Sequence, residues 1–147
     1  MDNKSGFLQE EYFYLQRTVE SFDARALTIK GWSVTVSMVG IGAAYIQSKP
    51  ALLLLSASSA LLFWIIESLW KSFQRAFTMR LEEIETLLKQ MPADKIDSPR
   101  ISLAWKDNLD KVKFWKIFFW PHVCLPHVII LLVGCLLFGL QRLGIGL

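Results

Sequence analysis

Long uncharged stretches alternate along the chain with stretches in which apolar residues return every three or four positions. Three stretches lack charge: residues 31–48 (GWSVTVSMVGIGAAYIQS), 50–66 (PALLLLSASSALLFWII) and 117–141 (IFFWPHVCLPHVIILLVGCLLFGLQ). A helix needs about 20 mostly apolar residues to cross about 30 Å of hydrocarbon. The first two are slightly short and recruit Leu27 and Ile29, or Leu69 and Trp70, while the third is ample. Trp32, Trp64, Trp70, Trp115 and Trp120 stand near the ends, as interfacial aromatics do. The pattern predicts crossings over 31–48, 50–67 and 122–141.

The flanking stretches are polar but periodic. Leu8, Tyr12, Leu15, Val19, Phe22, Ala26 and Ile29 alternate spacings of four and three, a heptad seam that meets no proline before the first crossing. Residues 7–30 are therefore predicted to form a cytosolic helix continuous with that crossing. Trp70, Phe73, Phe77, Leu81, Ile84 and Leu88 form a matching stripe over 68–91, where Pro92 stops it. A chain reversal near 48–49 sets Leu8 against Leu88, Tyr12 against Ile84, Leu15 against Leu81, Val19 against Phe77 and Ala26 against Trp70, with Phe22 beside Phe73. Phe13, Tyr14 and Met79 are left on outer faces for neighbours.

The same register brings Lys30 level with Glu67 at the cytosolic membrane edge. A lysine–glutamate pair would ease the cost of both charges near lipid; the alternative is that each snorkels to water alone. Ser33, Ser37, Gly40 and Ala44 share one face of the first crossing, and Ser56, Ser59, Ala60 and Phe63 lie on the second. Small residues let helix backbones approach in lipid. The hydroxyl rows, with Thr35, could instead line a polar path, but a tight packing face is the more common explanation.

Residues 92–100 (PADKIDSPR) read as a linker, with Ser98 as helix cap and Pro99 in the first turn. An amphipathic helix is predicted over 101–119, its apolar seam formed by Ile101, Trp105, Asn108, Val112, Trp115 and Phe119. Lys106, Asp110, Lys111 and Lys113 face the other way. Such a helix lies on the inner leaflet or packs on the cytosolic stalk.

The stretch WPHVCLPHV, residues 120–128, holds both histidines of the chain and one of its two cysteines. Positions 122 and 127 diverge by about 140° on a regular helix. Cys124 would add only a third ligand, with no carboxylate nearby to complete a metal site. Trp120, His122 and His127 are therefore read as interfacial, His122 at headgroup level and His127 about one turn deeper. Neither metal nor cofactor is expected. Cys124 and Cys135 would lie about 16 Å apart along one helix, too far for a disulfide, and read as buried, inert thiols.

Composition sharpens the picture. At 147 residues the chain is long enough for one domain, 1–147. Hydrophobic residues make up 53%, which points to a membrane protein. The net charge of +3 comes from bases interleaved with acids, which argues against a nucleic-acid partner. Four lysines and arginines precede residue 31, one lies in the turn at 47–50, ten lie between the second and third apolar segments, and one follows the third. Positive charge stays cytoplasmic. The amino terminus and the long loop are thus expected inside, and the short turn and the carboxyl terminus outside, in a multi-pass inner-membrane protein. The first thirty residues hold nine charges and no continuous apolar core, unlike a cleavable signal, so internal segments would insert the chain. No glycine-rich phosphate loop, GxSxG, HExxH or CxxC occurs. Glu82, Glu83 and Glu85 read as a solvated helix face, and no enzymatic activity is expected.

The predicted fold is an all-α membrane protein. A long antiparallel helical hairpin with two crossings extends into a cytosolic coiled-coil stalk, followed by an amphipathic helix and a third transmembrane helix. EEYFYLQRTVESFDARALTIKGWSVTVS leads into the first crossing and FWIIESLWKSFQRAFTMRLEEIE leaves the second. Over roughly residues 7–91 this arrangement resembles the small bacterial membrane effectors of the SLATT type. The resemblance implies two crossings flanked by cytosolic helices, in a protein that breaches the membrane when triggered during phage defence or conflict. It carries over no functional residue. The expectation is a non-enzymatic protein in the lipid bilayer, homo-oligomeric, forming or gating a pore. The alternative is a membrane anchor or accessory subunit holding a cytosolic protein partner through residues 68–116. A lipid or quinone enzyme would require a cofactor or buried ionisable groups.

Overall fold

The structure, a computed structural model, describes residues 3–90 and 100–144. Five helices follow one another: α1 (Asn3–Ile46), α2 (Ala51–Gln90), α3 (Ile101–Leu109), α4 (Phe114–Phe118) and α5 (Pro121–Arg142). No strand occurs among the described residues. By length and composition α1, α2 and α5 are each able to cross a membrane. The predicted linker lies outside the described residues except for Arg100, as do Ser98, Pro99 and Pro92.

The end of α1 follows from hydrogen-bond accounting. A helix leaves its last carbonyls unpaired, and a residue in left-handed conformation lets following N–H groups turn back to them. Ser48 takes that conformation, with φ 52°. Its N–H donates to the Tyr45 carbonyl and the N–H of Lys49 to that of Ala44. Pro50 comes next, where no helical N–H is needed.

The chain divides into two compact units. One comprises Met1–Arg25 and Trp70–Lys113. Its core is Leu8, Leu15 and Ile84, with Tyr12, Phe77, Leu81 and Ile101 packed around it. Partner numbers fall along α2 as they rise along α1. Arg80 pairs with Glu11, the Gln74 amide donates to the Val19 carbonyl, and Lys71 meets Asp23. Leu88, expected against Leu8, is exposed. One expected partner differs. Phe22 packs on Trp70 and Phe77, at ring distances of 4.7 and 5.7 Å, while Phe73 turns to Trp105 of α3. Pairing two helices in isolation leaves out α3, which takes the Phe73 side of α2.

Within this unit the Arg80 guanidinium grips both oxygens of Glu11, at 2.9 and 3.3 Å, and also reaches Glu83. Arg80 and Glu11 are both buried. Asn108 of α3 donates to the Ala76 carbonyl of α2 and accepts from Lys111.

The other unit comprises Ala26–Leu69 and Phe114–Leu147. Trp64, Phe118 and Val123 form an aromatic core. The Trp64 and Phe118 rings stack at 4.1 Å, and the indole N–H donates to the Phe118 carbonyl at 2.9 Å. That bond satisfies the polar edge of a buried tryptophan. Trp120 is extended, as a residue before proline must be, and Pro121 opens α5.

The amphipathic helix predicted over 101–119 is in fact two helices, α3 and α4, separated by residues 110–113. N–H groups of Lys111 and Val112 bond three residues back, to Asn108 and Leu109, which tightens and ends α3. Asn108 and Val112 of the expected seam stay inward or half-buried, but Trp115 and Phe119 are exposed and Ile117 and Phe118 are buried instead. The interruption rotates the buried face.

Candidate functional site

Lipid cannot compete for hydrogen bonds, so polar side chains in crossing helices must find partners inside the protein. In the second unit they do so in two clusters, one helical turn apart along α1. Lys30 and Ser33 of α1, Glu67 of α2 and His127 of α5 form the charged one. Lys30 Nζ lies 3.0 Å from Glu67 Oε1, and His127 Nε2 lies 3.0 Å from Glu67 Oε2. Ser33 Oγ lies 2.9 Å from His127 Nδ1. Ser33, Glu67 and His127 are wholly buried, and the Lys30 side chain is 22% exposed.

The sequence places these groups on facing sides. Lys30 and Ser33 are three residues apart on α1 and share a face. Glu67 points at Lys30 from α2, and His127 of α5 sits between Glu67 and Ser33. The lysine contact is an ion pair outside hydrogen-bond alignment, so Glu67 Oε1 is buried without a hydrogen bond. Where His127 Nε2 donates to Glu67, the neutral ring accepts the Ser33 hydroxyl proton at Nδ1, and the imidazolium donates to Ser33 from it instead.

One turn beyond Ser33 the second cluster extends the row in hydroxyls. Ser37 Oγ lies 3.3 Å from Ser59 Oγ and 3.4 Å from the Ser56 carbonyl. Ser56 and Ser59 bond back to the Leu52 and Ser56 carbonyls of their own helix. Gly40 meets Ser56 so closely that an added Cβ would lie 2.1 Å from its Oγ. Gly134 of α5 lies against Ala57 and the Leu53 carbonyl. Small residues thus set the helix spacing, as van der Waals packing in lipid requires. Ala44 and Leu53, both fully buried, follow without polar atoms on their side chains, while Ala60, also fully buried, lies beside Ser59 toward Glu67.

Of the residues singled out in the sequence, Ser33, Ser37, Gly40, Ala44, Ser56 and Ala60 lie at packed positions, and Thr35 is exposed. Lys30 and Glu67 meet. His122 is exposed with its ring 5.3 Å from that of Trp120. His127, read as interfacial, is enclosed between Ser33 and Glu67. Divergence by about 140° turns one histidine outward when the other turns in. The thiols also differ from expectation, since Cys135 is exposed and Cys124 half-buried.

Sequence reasoning missed the link from His127 to Glu67 and Ser33. A signal was present: three polar residues in otherwise apolar crossings need partners. Which pairs form depends on how α5 packs, and no heptad seam fixes that. Comparison of the chain with known protein families, curated proteins and solved structures gives no match.

Proposed function

We propose that this chain is a non-enzymatic integral membrane protein that assembles as a homo-oligomer and provides a gated ion pathway, as an effector in a bacterial defence or conflict system. One observation supports the reading above others: the ionisable and hydroxylic row is sealed between candidate membrane helices instead of facing lipid. Charge inside a membrane is costly and marks ion pathways, relays or sensors more often than scaffolding. In this reading α1 and α2 form an antiparallel hairpin with crossings near 31–48 and 50–67. Its coiled-coil extension lies in the cytosol and receives the trigger. α5 is the third crossing, with the carboxyl terminus outside. The serines hold the path closed by packing, and it opens when α1 shifts against α2 and α5.

Purified protein in liposomes tests this directly. Ion flux under an imposed gradient, from a particle larger than one 16.9 kDa chain in detergent, is expected. A monomer that passes no ion under any gradient would overturn it.

A second reading, an anchor that holds a cytosolic protein, is favoured by the other unit. Phe7, Phe13, Tyr14 and Leu103 are exposed there, and a groove of about 450 Å³ runs between Tyr14, Phe77, Ile101 and Trp105. Co-purification of a larger protein in stable one-to-one ratio would favour it.

A further inference from the structure

Building on the ion-pathway reading, we propose that the species the row carries is the proton, with the His127 imidazole as the relay between Glu67 and Ser33. A hydrated metal ion needs a water-filled bore. Along this stretch Ser33, Ser37, Glu67 and His127 are fully buried and in mutual contact or one helical turn apart. A proton needs only donors and acceptors at hydrogen-bond distance, and the row supplies them at 2.9 and 3.0 Å.

The groups that face His127 fit the task from each helix. From α1 come the Ser33 hydroxyl, which both donates and accepts, and Lys30, which reaches the far oxygen of Glu67. From α2 comes Glu67. At rest the lysine and the carboxylate cancel, so an added proton brings one net charge and not two. Glu67 Oε1, buried and without a hydrogen bond, offers a lone pair on the side nearest solvent, where Lys30 is partly exposed.

The transfer balances without any other reactant. A proton arriving at Ser33 Oγ is taken up as the hydroxyl passes its own proton to His127 Nδ1. The imidazolium so formed gives its Nε2 proton to Glu67 Oε2. The carboxyl, now neutral, turns and gives its proton to solvent water on the Lys30 side, where the ammonium, already protonated, cannot take it. His127 is left with its proton on Nδ1 and Nε2 bare; a swing of the side chain that presents Nε2 to Ser33 and Nδ1–H to Glu67 readies it for the next proton, which enters at Nε2 and leaves from Nδ1. The reverse sequence carries a proton the other way. On the Ser33 side one helical turn separates this relay from the hydroxyls of Ser37 and Ser59, a gap that a water would have to bridge for the proton to pass, and beyond them Ala44 and Leu53 close the row. Opening the pathway then means letting water past those two residues.

Proteoliposomes carrying a pH-sensitive dye, with parallel vesicles loaded with a potassium indicator or calcein, test the assignment. Proton flux is expected without potassium or calcein flux. His127→Gln keeps an amide that can bond to Glu67, and it should lower proton flux by about a hundredfold or more. It should leave particle size and thermal unfolding as in the unmodified protein. Ser33→Ala should lower flux, and Ser33→Thr, which retains the hydroxyl, should restore it. Potassium or calcein crossing together with protons would sink the proton assignment while leaving the ion pathway standing. So would undiminished proton flux in His127→Gln. Absence of every flux in the unmodified protein would sink both. If His127→Gln fails to fold, the selectivity of the unmodified protein decides alone.

Discussion

Single side chains in this protein carry burdens that apolar packing cannot. Arg80 and Glu11 are buried as a forked pair, with side-chain exposures of 6% and 1%. Each charge is tolerated because the other neutralises it, and the planar guanidinium matches both carboxylate oxygens. Removing one partner strands the other. Glu11→Ala is therefore expected to destabilise the protein by about 3–5 kcal/mol. The paired change Glu11→Leu with Arg80→Met should recover most of that loss, because apolar side chains of similar size fill the site without desolvated charge. Thermal unfolding of both variants in detergent checks the order; a single change no worse than the pair would count against it. Nothing in the heptad pattern announced this pair. Glu11 sits beside the seam residue Tyr12 and Arg80 beside Leu81, outside both apolar stripes.

At the scale of elements, helix ends and helix spacing are decided by small chemical choices. The α1–α2 turn asks for a left-handed residue at position 48, and serine occupies it at φ 52°. An L side chain there costs roughly 1–2 kcal/mol that glycine does not incur. Glycine also loses more freedom on folding. Ser48→Gly should therefore stabilise the protein by a net of up to about 1 kcal/mol, read as a higher midpoint of thermal unfolding. A lower midpoint would show that the serine hydroxyl contributes more than its backbone strain costs. The split of the expected 101–119 helix belongs here too. The sequence period continues through 110–113, but Asn108 anchors to the Ala76 carbonyl and the chain tightens into shorter bonds after it.

The whole molecule joins two units through shared helices, since α1 and α2 each contribute to both. Lysine and arginine cluster before residue 31 and between 71 and 116. If the proposed topology holds, a membrane-impermeant maleimide applied to intact cells should label Lys49→Cys. It should not label Lys106→Cys until the membrane is opened, in a background where Cys124 and Cys135 are serine. Equal labelling of both sites, or the opposite order, would refute that orientation.

Much of the architecture was written in the order of residues. Three uncharged runs, two apolar stripes of period 3.5 and a proline after Trp120 determine helices of these lengths, because each states locally which face avoids water and where the backbone stops. The meeting of Lys30 with Glu67 follows from the same counting, since one tight turn and a fixed rise per residue set the register between two helices. His127 was beyond that counting. Its partners lie 60 residues away on α2 and 94 away on α1, and no period links α5 to either helix. Packing of Gly134 against Ala57 and of Val123 into the Trp64–Phe118 core sets the rotation of α5. Once that rotation turns His127 inward and His122 outward, burial obliges the imidazole to bond with whatever polar groups face it, and those are Glu67 and Ser33.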